Sequence, residues 1–262
     1  MPVDREDELG KLAASFNEMA GSIETHKRKL ADKARHLSRT NAELEQFAYV
    51  ASHDLKAPLR AIDNLATWIA EDLEGNLSQE TEENIVLLRQ RVERMSTLLE
   101  GLLQYSRVGR RRYEAEMIDC REMIEDIVED IALPPGFTVK LPVDCPTFES
   151  HRPPLEQVFR NLIGNAVKHH DCEGGCIAIR YVNGGEIAAF AVEDDGPGID
   201  PNYHDKAFQM FQTLRPRDEV EGSGMDLALV KKIIEDRGGR IWLESTGTDR
   251  GATFHFEWVK SS

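Results

Sequence analysis

The sequence predicts an all-α helical hairpin followed by a mixed α/β sandwich. Two observations predict the hairpin. Apolar residues step three and four apart through residues 23–73 and again through 85–102, and Glu74-Gly75-Asn76-Leu77-Ser78 interrupts them with turn chemistry. A third predicts the sandwich. From Tyr113 the rhythm changes to short alternating segments separated by glycines. The implied domains are 1–24, a short leading helix; 25–110, the hairpin; and 113–262, the α/β part.

The totals narrow the function. The chain has 262 residues, 40% hydrophobic and 30% charged, with a net charge of −15. Phosphate backbones and anionic lipids both require a basic face, so this balance predicts no nucleic-acid partner and no docking on an anionic membrane. The 4 cysteines follow no disulfide-framework spacing and suit a reducing compartment. No run approaches the ~20 apolar residues of a membrane span.

Leu9, Leu12, Phe16, Met19 and Ile23 form the first packed seam. Ile23, Leu30, Leu37, Leu44 and Ala51 then recur every seven residues, with Ala34, Asn41 and Ala48 between them. A strict heptad needs a partner helix, which predicts a homodimer, with Asn41 as a register-setting polar residue. Apolar positions 44, 48, 51 and 55 run into 59, 62, 66, 69 and 73, so two steps of four fall together at 55. That stutter lies beside His53 and Pro58. Pro58 has no N–H for the carbonyl of Asp54, so the helix should bend there, and His53, off the seam, should face outward. Taken alone, the pattern also fits a surface histidine on an ordinary coiled coil.

Gly75 is placed to end the first helix and Ser78 to cap the second. Ile85, Leu88, Val92, Met95, Leu99 and Leu102 supply the second seam. Two such hairpins make a four-helix bundle in the dimer. Arg110-Arg111-Arg112 reads as a solvated linker. In the α/β part, strands are expected around 137–141, 176–182, 187–193, 240–244 and 252–258, and helices at about 120–132, 154–169 and 224–237. A part of about 150 residues is large enough for its own core.

Four features of that part carry chemistry. Asn161, Asn165 and Lys168 share one helix face, where amide oxygens suit a hard Mg²⁺ ion and a lysine suits phosphates. Asp194-Asp195-Gly196-Pro197-Gly198 follows a strand; its carboxylate can accept from an exocyclic amine, and its glycines let backbone approach a flat ligand. A loop of about 25 residues carrying Phe208 and Phe211 reads as a lid. It ends at Gly222-Ser223-Gly224-Met225-Asp226, small residues opening a helix, a phosphate site in type. Singly, these also fit a solvated helix face, a Pro-Gly turn and a spacer.

Together and in order they resemble the H, N, G1, F and G2 boxes of bacterial sensor histidine kinases, over about residues 40–260. Asp7-Glu8-Leu9-Gly10 with Phe16-Asn17-Glu18-Met19 resembles the end of a HAMP relay module, so the chain looks like part of a longer receptor. The resemblance implies an ATP-binding domain of the gyrase/Hsp90/histidine-kinase type, with ATP and Mg²⁺ as cofactors. His53 would accept the phosphoryl group and Asp54 would orient it or take its proton. Asn165 would ligate Mg²⁺, supported by Asn161 and Lys168. Asp194 would hold the adenine amino group, Gly196 and Gly198 would shape the pocket, and Gly222 and Gly224 would edge the lid. The phosphoryl group would pass to a response-regulator receiver domain docked near Arg60 to Asn64. This region would be cytoplasmic, with the parent anchored in the inner membrane through segments outside this chain.

Two positions depart from the family. Ala57 stands where Thr or Asn often positions water, which implies weak phosphatase activity by that route. Asp226 stands where the last box usually has its third glycine. A carboxylate about 4 Å from a phosphate charge costs roughly 4 kcal/mol at an effective dielectric of ~20. Asp226 is therefore expected to impair ATP use and leave a signalling scaffold, unless its side chain turns to solvent or toward the metal. His169-His170-Asp171-Cys172 with Cys176 is read as a loop with reduced cysteines rather than as a zinc site.

Overall fold

The computed structural model describes residues 8–73, 77–109, 113–213, 224–247 and 250–260. Gly75, Arg110 to Arg112, Gly222 and Ser223, all singled out above, lie outside the described residues, as do the side chains of Leu9, Leu12, Leu37, Asn41, Leu44 and Ala48. Two compact units divide at Val50 and Ala51.

Helix α1 spans Glu8–Asp72 and carries Pro58 in its interior. Up to Val50 it is a lone helix, with Phe16, Met19, Ile23 and Leu30 exposed along one stripe. No helix among the described residues is long and apolar enough to cross a membrane.

In the second unit, the rest of α1 pairs with α2, Gln79–Arg107. Ser78 caps α2 as expected, its Oγ accepting the N–H of Thr81 at 3.2 Å. Lys56 faces Glu100 at 2.9 Å and Asp63 faces Arg89 at 3.3 Å, which sets the antiparallel register. The seam divides in a way that the heptad reading does not resolve. Leu59, Ala66, Val92 and Leu103 are buried, whereas Ile62, Ile69, Leu73, Leu88 and Met95 are exposed. One apolar stripe closes the hairpin and the other is left facing outward.

The α/β part is a two-layer sandwich. Its main sheet holds β2 (Phe137–Lys140), β4 (Gly175–Gly184), β5 (Ile187–Asp194), β7 (Ala252–Val259) and β6 (Ile241–Glu244), in the order β2-β4-β5-β7-β6. Only β2 and β4 pair in parallel. Strand β7 alternates buried and half-buried residues along its length, one face to the core. That core faces α3 (Cys120–Ile131), α4 (Arg152–Lys168) and α6 (Asp226–Asp236). Phe159, Phe190 and Phe256 meet with ring centroids 5.2 to 5.4 Å apart. Trp258 is fully buried and donates its indole N–H to the Ser150 hydroxyl at 2.8 Å.

A second, two-stranded sheet pairs β1 (Glu116–Asp119) with β3 (Thr147–Ser150). Neither strand was expected, because each is rich in polar residues, follows no glycine and sends few side chains inward, Ile118 from β1 and Phe148 from β3 among them. The expected 25-residue loop also begins with structure, a 3-10 turn at Pro201–Tyr203 and the short α5, His204–Ala207. The cysteines are free. Burial pushes the Cys120 thiol up to about 12, which leaves it inert.

Candidate functional site

The predicted site residues fall in two places. The first is on α1. The His53 and Asp54 side chains are 72% and 71% exposed, and His53 Nδ1 lies 3.2 Å from Asp54 Oδ1. An ionised carboxylate only accepts, so Nδ1 is the donor and Nε2 keeps the basic lone pair. The ring is thus oriented by its neighbour, with its nucleophilic nitrogen in solvent. Beyond it, Lys56, Leu59, Arg60, Asp63, Arg89 and Glu100 line a groove between the two helices.

The second is a cavity of about 350 Å³ in the α/β part, lined by residues from α4, the end of β5, the 3-10 turn, α5, the start of α6 and β7. Its wall mixes apolar surface from Ile199, Leu227 and Phe254 with a few polar groups, the composition of a small-molecule site. Of the predicted residues, Asn165, Asp194, Gly198, Gly224 and Asp226 line it. No lysine or arginine does so among the described residues.

Asp194 ends β5 and is mostly enclosed. Burial pushes its carboxyl up from the ordinary carboxylate range, opposed by backbone N–H bonds from Gly196 and Ala252. The Gly196 bond is 3.0 Å long, and a Cβ on Gly196 would stand 2.9 Å from the same oxygen, so a side chain there would push the Asp194 carboxylate aside. Gly198 follows with φ +75. Asn165 is buried on α4 and presents its amide to the cavity. Gly224, with φ +64, receives the Phe211 N–H on its carbonyl at 3.0 Å. Asp226 opens α6, two residues later than expected.

The other predicted residues stand around the cavity rather than in its wall. Asn161 donates to the main-chain oxygen of Asp226 at 3.3 Å and accepts from Gln157 at 2.8 Å. Lys168 is exposed at the end of α4. Phe208 packs edge-on against Phe254 at 6.3 Å, and Phe211 is exposed with φ +63.

Residues assigned no part in the nucleotide site by sequence frame the Asp194 turn. Arg250 donates to both oxygens of Asp171 at 2.9 and 3.0 Å and to the main-chain oxygen of Asp195 at 3.0 Å. His170 Nδ1 accepts the Cys172 N–H at 3.0 Å, so Nε2 donates to Asp195, at 3.1 Å. The donor atoms of His170, Asp171 and Cys172 lie within 4.8 Å of one another, and the His170 ring and the Asp171 carboxylate are engaged in these hydrogen bonds. His169-His170-Asp171-Cys172 with Cys176 carried a signal in the sequence, read there as a loop. Arg250, about 80 residues away, had none.

Three family models match. The model of histidine kinase-, DNA gyrase B- and HSP90-like ATPases covers residues 150–262, the His Kinase A (phospho-acceptor) domain covers 43–111 and the HAMP domain covers 1–25. Cyanobacterial phytochrome A of Nostoc sp. is 37% identical over 229 residues, which are 87% of this chain and 30% of that protein. Sensor histidine kinase MtrB of Mycobacterium leprae is 30% identical over a gapped alignment of 272 positions that covers 97% of this chain and 45% of that one. The chain therefore spans less than half the length of both. The fold is similar to that of histidine kinase ThkA, solved with the response regulator TrrA, at TM-score 0.56 and 20% identity over 85% of this chain and 65% of that one. With a helical hairpin bearing a phospho-acceptor match and an α/β sandwich bearing the ATPase match, this chain belongs to the sensor histidine kinases.

Proposed function

We propose that the chain is the kinase part of a dimeric receptor, autophosphorylating His53 from ATP and passing the phosphoryl group to an aspartate of a response regulator. The observation that carries this reading is the exposed His53 imidazole with Nδ1 committed to Asp54. The free Nε2 lone pair would attack the γ-phosphorus in line. The bond to the β-γ bridging oxygen would break, ADP would leave, and the Nδ1 proton would pass to Asp54 or to solvent.

The cavity suits the nucleotide. The partly buried Asp194 carboxylate offers an acceptor to an exocyclic amine, beside backbone that Gly196 and Gly198 let come close. The amide oxygen of Asn165 suits Mg²⁺, which would neutralise phosphate charge when bound. Asn161 would act at one remove, by holding the start of α6. Lys168 would reach phosphates only from the rim. The groove beyond His53 suits a receiver domain, and the outward apolar stripe of the hairpin suits a second copy of the chain. The HAMP match supports a membrane-tethered parent with this region on the cytoplasmic side.

A second reading has its own observation. Asp226 adds a third carboxylate, after Asp194 and Asp200, to a wall without a cation among the described residues. That favours a dimeric scaffold that binds its regulator but uses ATP poorly. Incubation with Mg²⁺ and γ-labelled ATP, beside Asp226→Gly and His53→Ala, separates the two. Label that is stable in base, lost in acid and absent from His53→Ala supports the kinase. Label only after Asp226→Gly supports the scaffold. No label in either protein would remove the activity.

A further inference from the structure

The turn that presents Asp194 is held from two sides. On one side Gly251 donates its N–H to the Gly196 carbonyl at 2.7 Å, and Ala252 donates to the Asp194 carboxylate. On the other, the Asp195 carboxylate takes the Cys176 N–H at 2.8 Å and the His170 ring N–H at 3.1 Å. Arg250 ties the sides together. Its Nε donates to the Asp195 carbonyl, inside the turn, and its two Nη atoms clasp Asp171, in the loop that follows the Asn165 helix. The clasp is bidentate, the geometry in which an arginine fixes direction as well as distance. Gly251 leaves no room for adjustment, since a Cβ there would stand 2.6 Å from the Asp194 carbonyl. Neither Arg250 nor Asp171 lines the nucleotide cavity.

We propose that Arg250, braced by Asp171, is a positioning residue for purine recognition: it fixes the Asp194 turn so that the carboxylate meets a 6-amino group. The inference rests on the reading of Asp194 as the adenine acceptor. The Arg250 hydrogen bonds hold the Asp171 carboxyl at about 2, so the clasp stays charged across the working pH range. Both partners are largely solvated, so the clasp adds little to global stability and its effect is one of local geometry.

The test compares ATP with inosine triphosphate, which carries a 6-oxo group in place of the 6-amino group. Dissociation constants for both, with Mg²⁺, are measured by calorimetry on the full chain, on Arg250→Gln, on the Asp171→Arg/Arg250→Asp charge swap and on Asp194→Asn. Arg250→Gln should weaken ATP about fivefold, leave inosine triphosphate unchanged and so erode the preference by the same factor. The charge swap should restore the pairing of 250 with 171 but not the preference, because an aspartate at 250 cannot donate to the Asp195 carbonyl. Equal weakening of both nucleotides by Arg250→Gln would mean a merely structural role and would overturn the proposal. So would an intact preference in Arg250→Gln while Asp194→Asn abolishes it, an outcome that leaves the adenine reading standing. If Asp194→Asn changes neither affinity nor preference, that underlying reading fails first.

Discussion

The side-chain amide of Asn161 donates to the main-chain oxygen of Asp226 at 3.3 Å, joining α4 to α6 at the residue that stands where the family has glycine. The bond uses backbone and would survive a change of side chain. Asp226→Gly therefore isolates the carboxylate. Its removal takes a charge from the cavity wall, and Mg²⁺-ATP should bind at least about tenfold tighter by calorimetry. Stability should move the other way. An acid in the first turn of a helix is worth about 0.3–1 kcal/mol, and glycine is a poorer helix residue, so Tm should fall by about 2–4 °C. Equal ATP affinity in the two proteins would refute the impairment.

Asp194 should show the opposite trade. Its carboxyl is raised by burial, so the folded protein holds a proton that the unfolded chain has already released at the ordinary carboxylate pKa. Stability therefore falls as pH rises from that ordinary value through the raised one, and the loss persists at neutral pH. Asp194→Asn removes this cost while keeping an oxygen for the Gly196 N–H. Its Tm at pH 7 should rise, and the gain should shrink as the pH is taken below the carboxylate range. ATP binding should be lost. Thermal scans from pH 3 to 8 check the sign, and a Tm gain that grows toward acid would contradict it.

How much could be read beforehand follows from where each signal resides. The helices and the longer strands announce themselves by period, and the Asp194–Gly198 turn by local chemistry, because those signals lie within a few residues. The β1–β3 pair does not: β2 and β6 are as short, but Gly136 and the Gly238-Gly239 pair mark their starts, and β1 and β3 follow no such glycine. The double role of the hairpin seam was also hidden. A step of three and four marks an apolar stripe but not which partner covers it, so Leu59 and Ile62 look alike in sequence and differ in burial. Arg250 was invisible for a third reason. Its partners Asp171 and Asp195 are brought to it only by the sheet and the loops around it.

Gly224 is a position where the backbone demands glycine twice over. Its φ of +64 is left-handed, and an added Cβ would stand 2.6 Å from the Gln212 carbonyl oxygen and 2.9 Å from the Gln212 nitrogen. Both obstacles are backbone and cannot swing aside. Gly224→Ala should cost about 1–2 kcal/mol from the dihedral angle alone and break the Phe211 N–H bond to the Gly224 carbonyl. Chemical denaturation should show that loss in full, and Mg²⁺-ATP affinity should fall with it. Wild-type stability in the alanine variant would show that the turn adjusts without strain.

The outward stripe of the hairpin gives the last prediction. Leu59, Ala66 and Val92 are buried within one chain, so they cannot also hold two chains together. Ile62, Leu65, Trp68, Ile69, Leu88 and Met95 remain exposed, a row of large apolar side chains along two adjacent helices. Such a row in water calls for a partner, and covering one isoleucine is worth about 1.5–3 kcal/mol. Ile62→Glu/Ile69→Glu should raise the dimer dissociation constant by about a hundredfold or more, read by sedimentation equilibrium. Helix content should stay at the wild-type level, because neither side chain closes the hairpin. A wild-type chain that sediments as a monomer at micromolar concentration would remove the four-helix bundle. A double variant that remains fully dimeric would move the interface to the α1 stripe of Phe16, Met19, Ile23 and Leu30, where the corresponding glutamate substitutions would then be decisive.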